Sequence, residues 1–119
     1  MKKNILIVDD EEVIREFLTE VLSDDFNIKT ATDGDEAIEL LKEQRFDLVI
    51  TDMKMERVQG EEVVKFTKQK YPDTEVIVIS GYSSLYSVSQ TVNSGAYAFL
   101  SKPFSIKELM GTIENAMSC

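Results

Sequence analysis

Short apolar runs alternate with amphipathic stretches along this chain. Each run has five to seven residues and borders polar positions, which is typical of buried β-strands. The runs are Asn4–Val8, Asn27–Ala31, Phe46–Asp52, Glu75–Ser80 and Tyr97–Ser101. Apolar residues after each run recur at spacings of three and four, which indicates amphipathic helices. The pattern predicts five strands, each followed by a helix.

Capping and turn residues mark the predicted helix ends. Asp33 with Glu36, and Ser105 with Glu108, have the spacing of N-terminal caps. Gly60 opens the third helix, and Pro72 closes it. The expected inward residues are, in chain order, Val13, Ile14, Phe17, Leu18, Val21 and Leu22; Ala37, Ile38, Leu40 and Leu41; Val63, Val64 and Thr67; Leu85, Val88 and Val92; Ile106, Leu109, Met110, Ile113 and Met117.

Strict β–α alternation predicts one α/β domain over residues 1–119. Helical crossovers join parallel strands and cover both faces of the sheet. The run Asn27–Ala31 alternates polar with apolar residues, which suits an edge strand. We therefore expect a doubly wound, flavodoxin-like parallel sheet of order 2-1-3-4-5 with five helices.

Polar side chains follow the runs at the ends that such a sheet brings together. Asp9 and Asp10 follow the first run, Asp52 ends the third, Ser80 ends the fourth, and Lys102 follows the fifth. Ligands bind at this edge, where the strand order reverses. Each residue alone has a simpler explanation, as a helix cap, a first-turn acid, a strand-end hydroxyl or a solvated lysine. Their agreement at four strand ends favours a single site.

Composition narrows the chemistry of that site. The formal net charge of -9 argues against direct nucleic-acid binding, and the absence of histidine excludes Ser-His-Asp and Cys-His catalysis. The single cysteine, Cys119, cannot form an internal disulfide. No apolar stretch approaches the roughly 20 residues that a membrane span needs. We expect a soluble, cytoplasmic protein.

Three neighbouring carboxylates need a counter-charge, and Mg²⁺ with its preference for oxygen ligands is the natural candidate. Phosphoryl transfer then fits, because aspartate can accept a phosphoryl group as an acyl phosphate. In this hypothesis Asp52 attacks phosphorus, while Ser80 and Lys102 contact the phosphoryl oxygens. The expected metal ligands are Asp10, Asp52, the Lys54 carbonyl, and Asp9 through water. Gly81 leaves room for the incoming group.

These residues resemble a known family over essentially the whole chain. The matching segments are Ile5-Leu6-Ile7-Val8-Asp9-Asp10-Glu11, Asp52-x-x-Met55 with Gly60, Ser80-Gly81, and Gly95-Ala96-Tyr97-x-Phe99-Leu100-x-Lys102-Pro103-Phe104. Together they are similar to the receiver domain of bacterial two-component response regulators. This resemblance implies a phosphoryl group donated by a phosphohistidine of a partner sensor histidine kinase.

The resemblance also implies how the signal leaves the domain. Ser80 moves toward the phosphoryl group and Phe99 turns inward, which alters the face formed by the fourth helix, the fifth strand and the last helix. That face would signal to an output domain, a downstream protein or a second copy in a phosphorylation-dependent homodimer. Lys54 and Tyr82 would tune the lifetime of the phosphoryl group, and the Lys102–Pro103 peptide bond would be cis.

One departure and two alternatives remain. Glu56 stands where the family usually has proline, which should loosen that loop and add negative charge near the entrance. A haloacid-dehalogenase-like phosphatase also uses aspartate and magnesium, but its first strand should end Asp-x-Asp-x-Thr, unlike Asp9-Asp10-Glu11-Glu12-Val13. A pseudo-receiver that binds partners without phosphorylation is the other alternative, and the intact acids and lysine disfavour it.

Overall fold

The computed structural model describes residues 2–53, 60–81 and 95–117, which contain five strands and four helices. In chain order they are β1 (Lys3–Val8), α1 (Glu12–Leu22), β2 (Phe26–Ala31), α2 (Gly34–Glu43), β3 (Leu48–Asp52), α3 (Gly60–Lys70), β4 (Glu75–Ser80), β5 (Ala98–Ser101) and α4 (Ile106–Met117). The predicted helix with Leu85, Val88 and Val92 lies outside the described residues. The other predicted elements are confirmed to within one or two residues at most of their ends.

All strand pairs are parallel, and the sheet order is β2-β1-β3-β4-β5, as predicted. The polar strand β2 lies at one edge, and β5 lies at the other. β3 is central, and its last residue, Asp52, is in register with Ile79 of β4. Since every strand runs in the same direction, all five carboxyl ends lie along one edge of the sheet.

Within the described residues, each face of the sheet packs against a pair of helices. Ile5 and Ile7 of β1 join a cluster with residues of α1 and α4, such as Leu18 and Leu109. Leu6 and Val8 point to the opposite face, where the cluster includes residues of α2 and α3. The continuous apolar run of β1 is explained by this arrangement, because both of its faces are buried.

Two predicted helix caps are present. The Asp33 carboxylate accepts a hydrogen bond from the Glu36 backbone N–H at 2.9 Å. The Ser105 hydroxyl accepts one from the Glu108 N–H at 3.0 Å. Each bond satisfies a backbone donor that the first turn of a helix leaves without a partner. The starts of α2 and α4 are therefore fixed locally by the sequence.

Three residues predicted to face inward are instead exposed. Val13 is 74% exposed, Phe17 is 39% exposed and Ile106 is 47% exposed. At about 100° per residue, the six apolar positions of α1 span an arc of about 180° around the helix. Val13 and Phe17 lie at one border of that arc, beyond the sheet that buries Leu18 and Leu22. Ile106 is the first residue of α4, while the burial begins at Leu109.

Candidate functional site

Acidic and hydroxyl side chains are buried at the carboxyl edge of the sheet. Asp9 directly follows β1 and is fully buried, and Asp52 at the end of β3 is 6% exposed. Ser80 ends β4 and is 1% exposed. Buried carboxylates are uncommon without a partner of opposite charge. The edge must therefore contain a cation.

The cation is Lys102, which directly follows β5. Its ammonium nitrogen, Nζ, lies 3.2 Å from Oδ2 of Asp9 and 3.3 Å from Oδ2 of Asp52. A third carboxylate, that of Glu11, lies 3.1 Å from the same nitrogen. The structure thus brings Asp9, Asp52 and Lys102 together at one edge, although Lys102 is 50 residues from Asp52 along the chain.

Hydrogen bonds to the backbone of Lys102 and of Asp9 hold these two residues in place. The Lys102 N–H donates to the Ser80 carbonyl at 2.8 Å, which extends the β4–β5 ladder past the last strand residue. The Asp9 N–H donates to the Ala31 carbonyl at 3.1 Å, and the Arg15 guanidinium donates to the Asp9 carbonyl at 2.7 Å. The Lys102–Pro103 bond is cis, as the family resemblance implies.

Gly60 packs directly on the backbone of Asp52. A Cβ atom placed on Gly60 would overlap the Asp52 carbonyl oxygen and lie 2.8 Å from Cα of Met53. The Gly60 N–H also donates to the Met53 carbonyl at 2.9 Å. No residue with a side chain fits here without moving α3 or the end of β3. The first turn of α3 thus braces the strand that presents Asp52.

Burial and neighbouring charges perturb the ionisation of the site. The pKa of Asp9 is raised, chiefly because burial removes its carboxylate from water, and the charge of Asp52 adds to this. A hydrogen bond from the Glu11 N–H and the charge of Lys102 oppose the increase without cancelling it. The largest single influence on the pKa of Lys102 is burial, which by itself would lower it. The hydrogen bond to Glu11 and the charges of Asp52 and Asp9 outweigh it and raise the pKa.

The donor set suits a hard divalent cation. Asp9, Asp10, Glu11 and Asp52 each offer a carboxylate oxygen, and these four oxygens lie within 4.8 Å of one another. Among the described residues, the ammonium that pairs with them is that of Lys102, so negative charge is in excess in this part of the structure. Carboxylate oxygens are the ligands that Mg²⁺ prefers, and it commonly takes one or two of them together with water. The predicted acidic residues therefore fit a metal of this kind.

The remaining predicted residues have mixed outcomes. Asp10 belongs to the acidic group, and it is exposed. Phe99 is partly buried and packs against the cluster of α2 and α3, as expected for a core aromatic. A Cβ atom on Gly81 would meet open space. Lys54, Glu56 and Tyr82 lie outside the described residues.

Sequence reasoning missed two contacts at this site. It named Glu11 only within the acidic segment after β1 and gave it no partner, and it used Gly60 as a helix start and as part of the family resemblance without a contact to Asp52. The position of Glu11 immediately after Asp9-Asp10 was the available signal for the first contact. The close approach of Gly60 to Asp52 depends on how α3 docks on β3, for which the sequence carried no signal beyond the glycine itself.

The fold and the acidic edge agree with a match to a known family. The model of the response regulator receiver domain matches residues 5–114 of this chain. The chain belongs to this family. Receiver domains act in bacterial two-component systems as signalling phosphoacceptors rather than as classical enzymes.

Individual relatives of this receiver domain are similar over nearly its whole length. The response regulator protein PilR of Pseudomonas aeruginosa is 36% identical over 117 residues, which cover 98% of this chain and 26% of PilR. A CheY-like receiver from Methanospirillum hungatei has a TM-score of 0.94 at 26% identity, with 98% of this chain and 94% of that one covered. The beryllofluoride-activated NtrC4 receiver domain dimer has a TM-score of 0.89 at 36% identity, with 96% of this chain and 95% of that one covered.

The receiver domain spans about a quarter of the length of PilR and of the NtrX-like regulators that it matches. Within the described parts of the chain, no helix combines the length and the apolar character that crossing a bilayer requires.

Proposed function

We propose that this receiver domain takes a phosphoryl group onto Asp52 from a phosphohistidine of a partner sensor histidine kinase. The observation that supports this best is the meeting of Asp9, Asp52 and the Lys102 ammonium at the carboxyl edge of the sheet, with nitrogen–oxygen distances of 3.2 and 3.3 Å. Asp52 is the acceptor because it ends the central strand and is held from behind by Gly60. These 119 residues contain no histidine, so the phosphohistidine donor lies outside them.

The transfer is a displacement at phosphorus. An Asp52 carboxylate oxygen forms a bond to phosphorus as the bond from phosphorus to the ring nitrogen of the donor histidine breaks. The nitrogen keeps the electron pair, and the histidine leaves as neutral imidazole when its other ring nitrogen carries a proton. Lys102 neutralises charge on the phosphoryl oxygens, and the Ser80 hydroxyl donates a hydrogen bond to them. Positioning and charge stabilisation supply most of the catalysis in such transfers.

The group that would complete the site is Mg²⁺, and the residues that would hold it are Asp10, Asp52, the Lys54 carbonyl and, through water, Asp9. Bound there, it would neutralise negative charge on the phosphoryl oxygens. The residues themselves provide a buried acceptor, a fixed ammonium and an exposed acid, Asp10, at the entrance. The same residues would support loss of the phosphoryl group to water, so the domain would catalyse its own phosphorylation and dephosphorylation.

The response would pass from Ser80 and Phe99 to the face that includes β5 and α4. Phosphorylation favours one of two packings of this face, which is a population shift. The signal would reach an output domain, a downstream protein or a second copy. Two relatives support this proposal. This chain covers only 26% of PilR, so PilR has further segments that could receive the signal. The beryllofluoride-activated NtrC4 receiver domain is a dimer, which supports a second copy as the partner. Lys54 and Tyr82 would set the lifetime of the phosphoryl group on Asp52. We take residues 1–119 as one receiver domain that works in the cytoplasm.

Labelling with a small phosphodonor tests the acceptor. The chain is incubated with acetyl phosphate and Mg²⁺, and intact-mass spectrometry counts the phosphoryl groups gained. We expect one group per chain, its loss on treatment with hydroxylamine, and no uptake when a chelator removes Mg²⁺. Asp52→Asn should abolish uptake. The matched control Asp73→Asn, an exposed aspartate between α3 and β4, should retain it.

Three outcomes would contradict the proposal in different ways. Continued multiple turnover of a phosphomonoester without a stable adduct would favour an aspartate-based phosphatase. Correct folding with no Mg²⁺-dependent uptake at any donor concentration would favour a pseudo-receiver. Label retained in Asp52→Asn would move the acceptor to another residue.

A further inference from the structure

Glu11 is the outermost of the three carboxylates that surround the Lys102 ammonium. Its side chain is 61% exposed, whereas those of Asp9 and Asp52 are 0% and 8% exposed. Its Oε1 atom nevertheless lies 3.1 Å from Nζ, the shortest of the three distances. Lys102 is thus held from the buried side by two aspartates and from the solvent side by Glu11.

This arrangement occupies all the hydrogen-bonding capacity of the lysine. An ammonium has three N–H donors and no acceptor. Three carboxylate oxygens lie at hydrogen-bonding distance from Nζ, one each from Asp9, Glu11 and Asp52. A phosphoryl oxygen on Asp52 can therefore contact Lys102 only if one of these bonds is given up. Glu11 is the partner that water can solvate at least cost, because its carboxylate is already largely in water.

We propose that Glu11 is a positioning residue that holds Lys102 in the resting receiver and is displaced by the incoming phosphoryl group. It keeps the ammonium beside Asp52, and it also competes with the phosphoryl oxygens for the same donor. Its net effect is to slow phosphoryl uptake. This inference rests on the proposed function, because it assigns a regulator to the same acceptor site.

The charge distribution supports this role. Among the causes that raise the pKa of Lys102, the hydrogen bond to Glu11 is the largest, ahead of the charges of Asp52 and Asp9. Glu11 also adds a negative charge at the mouth of a site that anionic donors must enter. Competition for the lysine and repulsion of the donor both slow uptake, so the experiment has to separate them.

Substitutions of two neighbouring glutamates separate competition for the lysine from repulsion of the donor. Glu11→Gln removes the charge and leaves a weaker, neutral acceptor beside Nζ. Glu12→Gln, one residue further on, makes the same change in net charge at an exposed position that is not among the ion-pair partners of Lys102 in the described residues. With acetyl phosphate as donor, we expect Glu11→Gln to take up label about two- to five-fold faster than Glu12→Gln, the range expected for loss of one exposed ion pair.

A double-mutant cycle identifies the route of the effect. In a Lys102→Gln background, the advantage of Glu11→Gln over Glu12→Gln should disappear, because the group that Glu11 restrains is absent. If that background takes up too little label to measure, the affinities of the same variants for beryllofluoride give the comparison at equilibrium. The ¹⁵N chemical shift of the Lys102 ammonium, recorded without donor or metal, should change in Glu11→Gln and stay unchanged in Glu12→Gln.

Three results would overturn the inference. They are equal labelling rates for the two glutamine variants, slower labelling of Glu11→Gln, and persistence of the Glu11→Gln advantage without Lys102. Thermal unfolding checks that both variants remain folded. The inference and the proposed function fail differently: if the wild-type chain takes up no label on Asp52 the function is wrong, whereas normal wild-type labelling with equal variant rates removes only the role of Glu11.

Discussion

The α-carbon of Gly60 faces the carbonyl oxygen of Asp52 so closely that no side chain fits between them. This contact joins the start of α3 to the strand end that carries the acceptor. It explains why a helix that buries Val63 and Val64 against the sheet begins with a poor helix former. The contact also makes the position of α3 and the position of the acceptor dependent on each other.

Gly60→Ala should therefore destabilise the domain. We expect the free energy of unfolding in urea to fall by about 1–3 kcal/mol, the usual cost of overpacking. Gly111→Ala is the matched control, because Gly111 lies within α4 and an added Cβ there meets nothing within 4 Å. That variant should gain about 0.5–1 kcal/mol, since glycine is unfavourable inside a helix. Equal effects of the two substitutions would contradict the steric account.

Asp9→Asn should stabilise the metal-free domain near neutral pH. Because the folded pKa of Asp9 is raised, the folded state binds its proton more tightly than the unfolded state does. The charged carboxylate then costs stability, and the cost develops as the pH rises from the unfolded pKa through the folded pKa. Asparagine can still accept the hydrogen bond from the Glu11 N–H. The expected gain is roughly 1.4 kcal/mol for each unit by which the pKa is raised.

The pH dependence distinguishes this from a general charge effect. Thermal melts of Asp9→Asn and wild type without metal should differ at pH 7 and converge below the unfolded pKa of aspartate. Asp73→Asn makes the same charge change at an exposed position and serves as the control for net charge. A stabilisation of Asp9→Asn that is unchanged at acid pH would contradict the prediction.

Lys102→Gln should destabilise the domain and make it more dependent on a divalent cation. Removing the ammonium leaves Asp9 and Asp52 buried together, at a cost on the order of 1–3 kcal/mol, less than for a fully enclosed pair. Added Mg²⁺ should then raise the melting temperature more in the variant than in wild type, and at a lower concentration, because stabilisation follows binding. Lys107→Gln, at an exposed position in α4, is the control. An identical Mg²⁺ response in all three proteins would be inconsistent with electrostatic excess at the site.

Two isoleucines of α4 should respond very differently to truncation. Ile113 is fully buried and Ile106 is 47% exposed. Ile113→Ala should cost about 2–5 kcal/mol, and Ile106→Ala should cost less than about 1 kcal/mol. Chemical denaturation of the two variants measures both values. A large loss at Ile106 would mean that the first turn of α4 is buried in solution.

Much of the site was predictable because it depends on the order of strands. Hydrophobic runs fixed which residues follow β1, β3, β4 and β5, and parallel strands must bring those residues to one edge. Asp9, Asp52 and Lys102 were found in this way. The exposure of Val13, Phe17 and Ile106 was not predicted, because periodicity gives the width of an apolar stripe but not the width of the surface that covers it. Contacts such as Glu11–Lys102 depend on side-chain reach, which strand order does not specify.

Asp52 belongs to a strand with a hydrogen-bonded neighbour on both sides, whereas β5 has four residues and, within the described parts of the chain, a neighbour on one side only. Backbone amides of the central strand should exchange with deuterated water at the rate of global unfolding, and those of β5 should exchange through smaller local openings. A phosphoryl group on Asp52 would then be attached to a strand that opens only when the whole domain unfolds. A partner protein that bound at β5 would contact a strand expected to open more easily than the strand that carries Asp52.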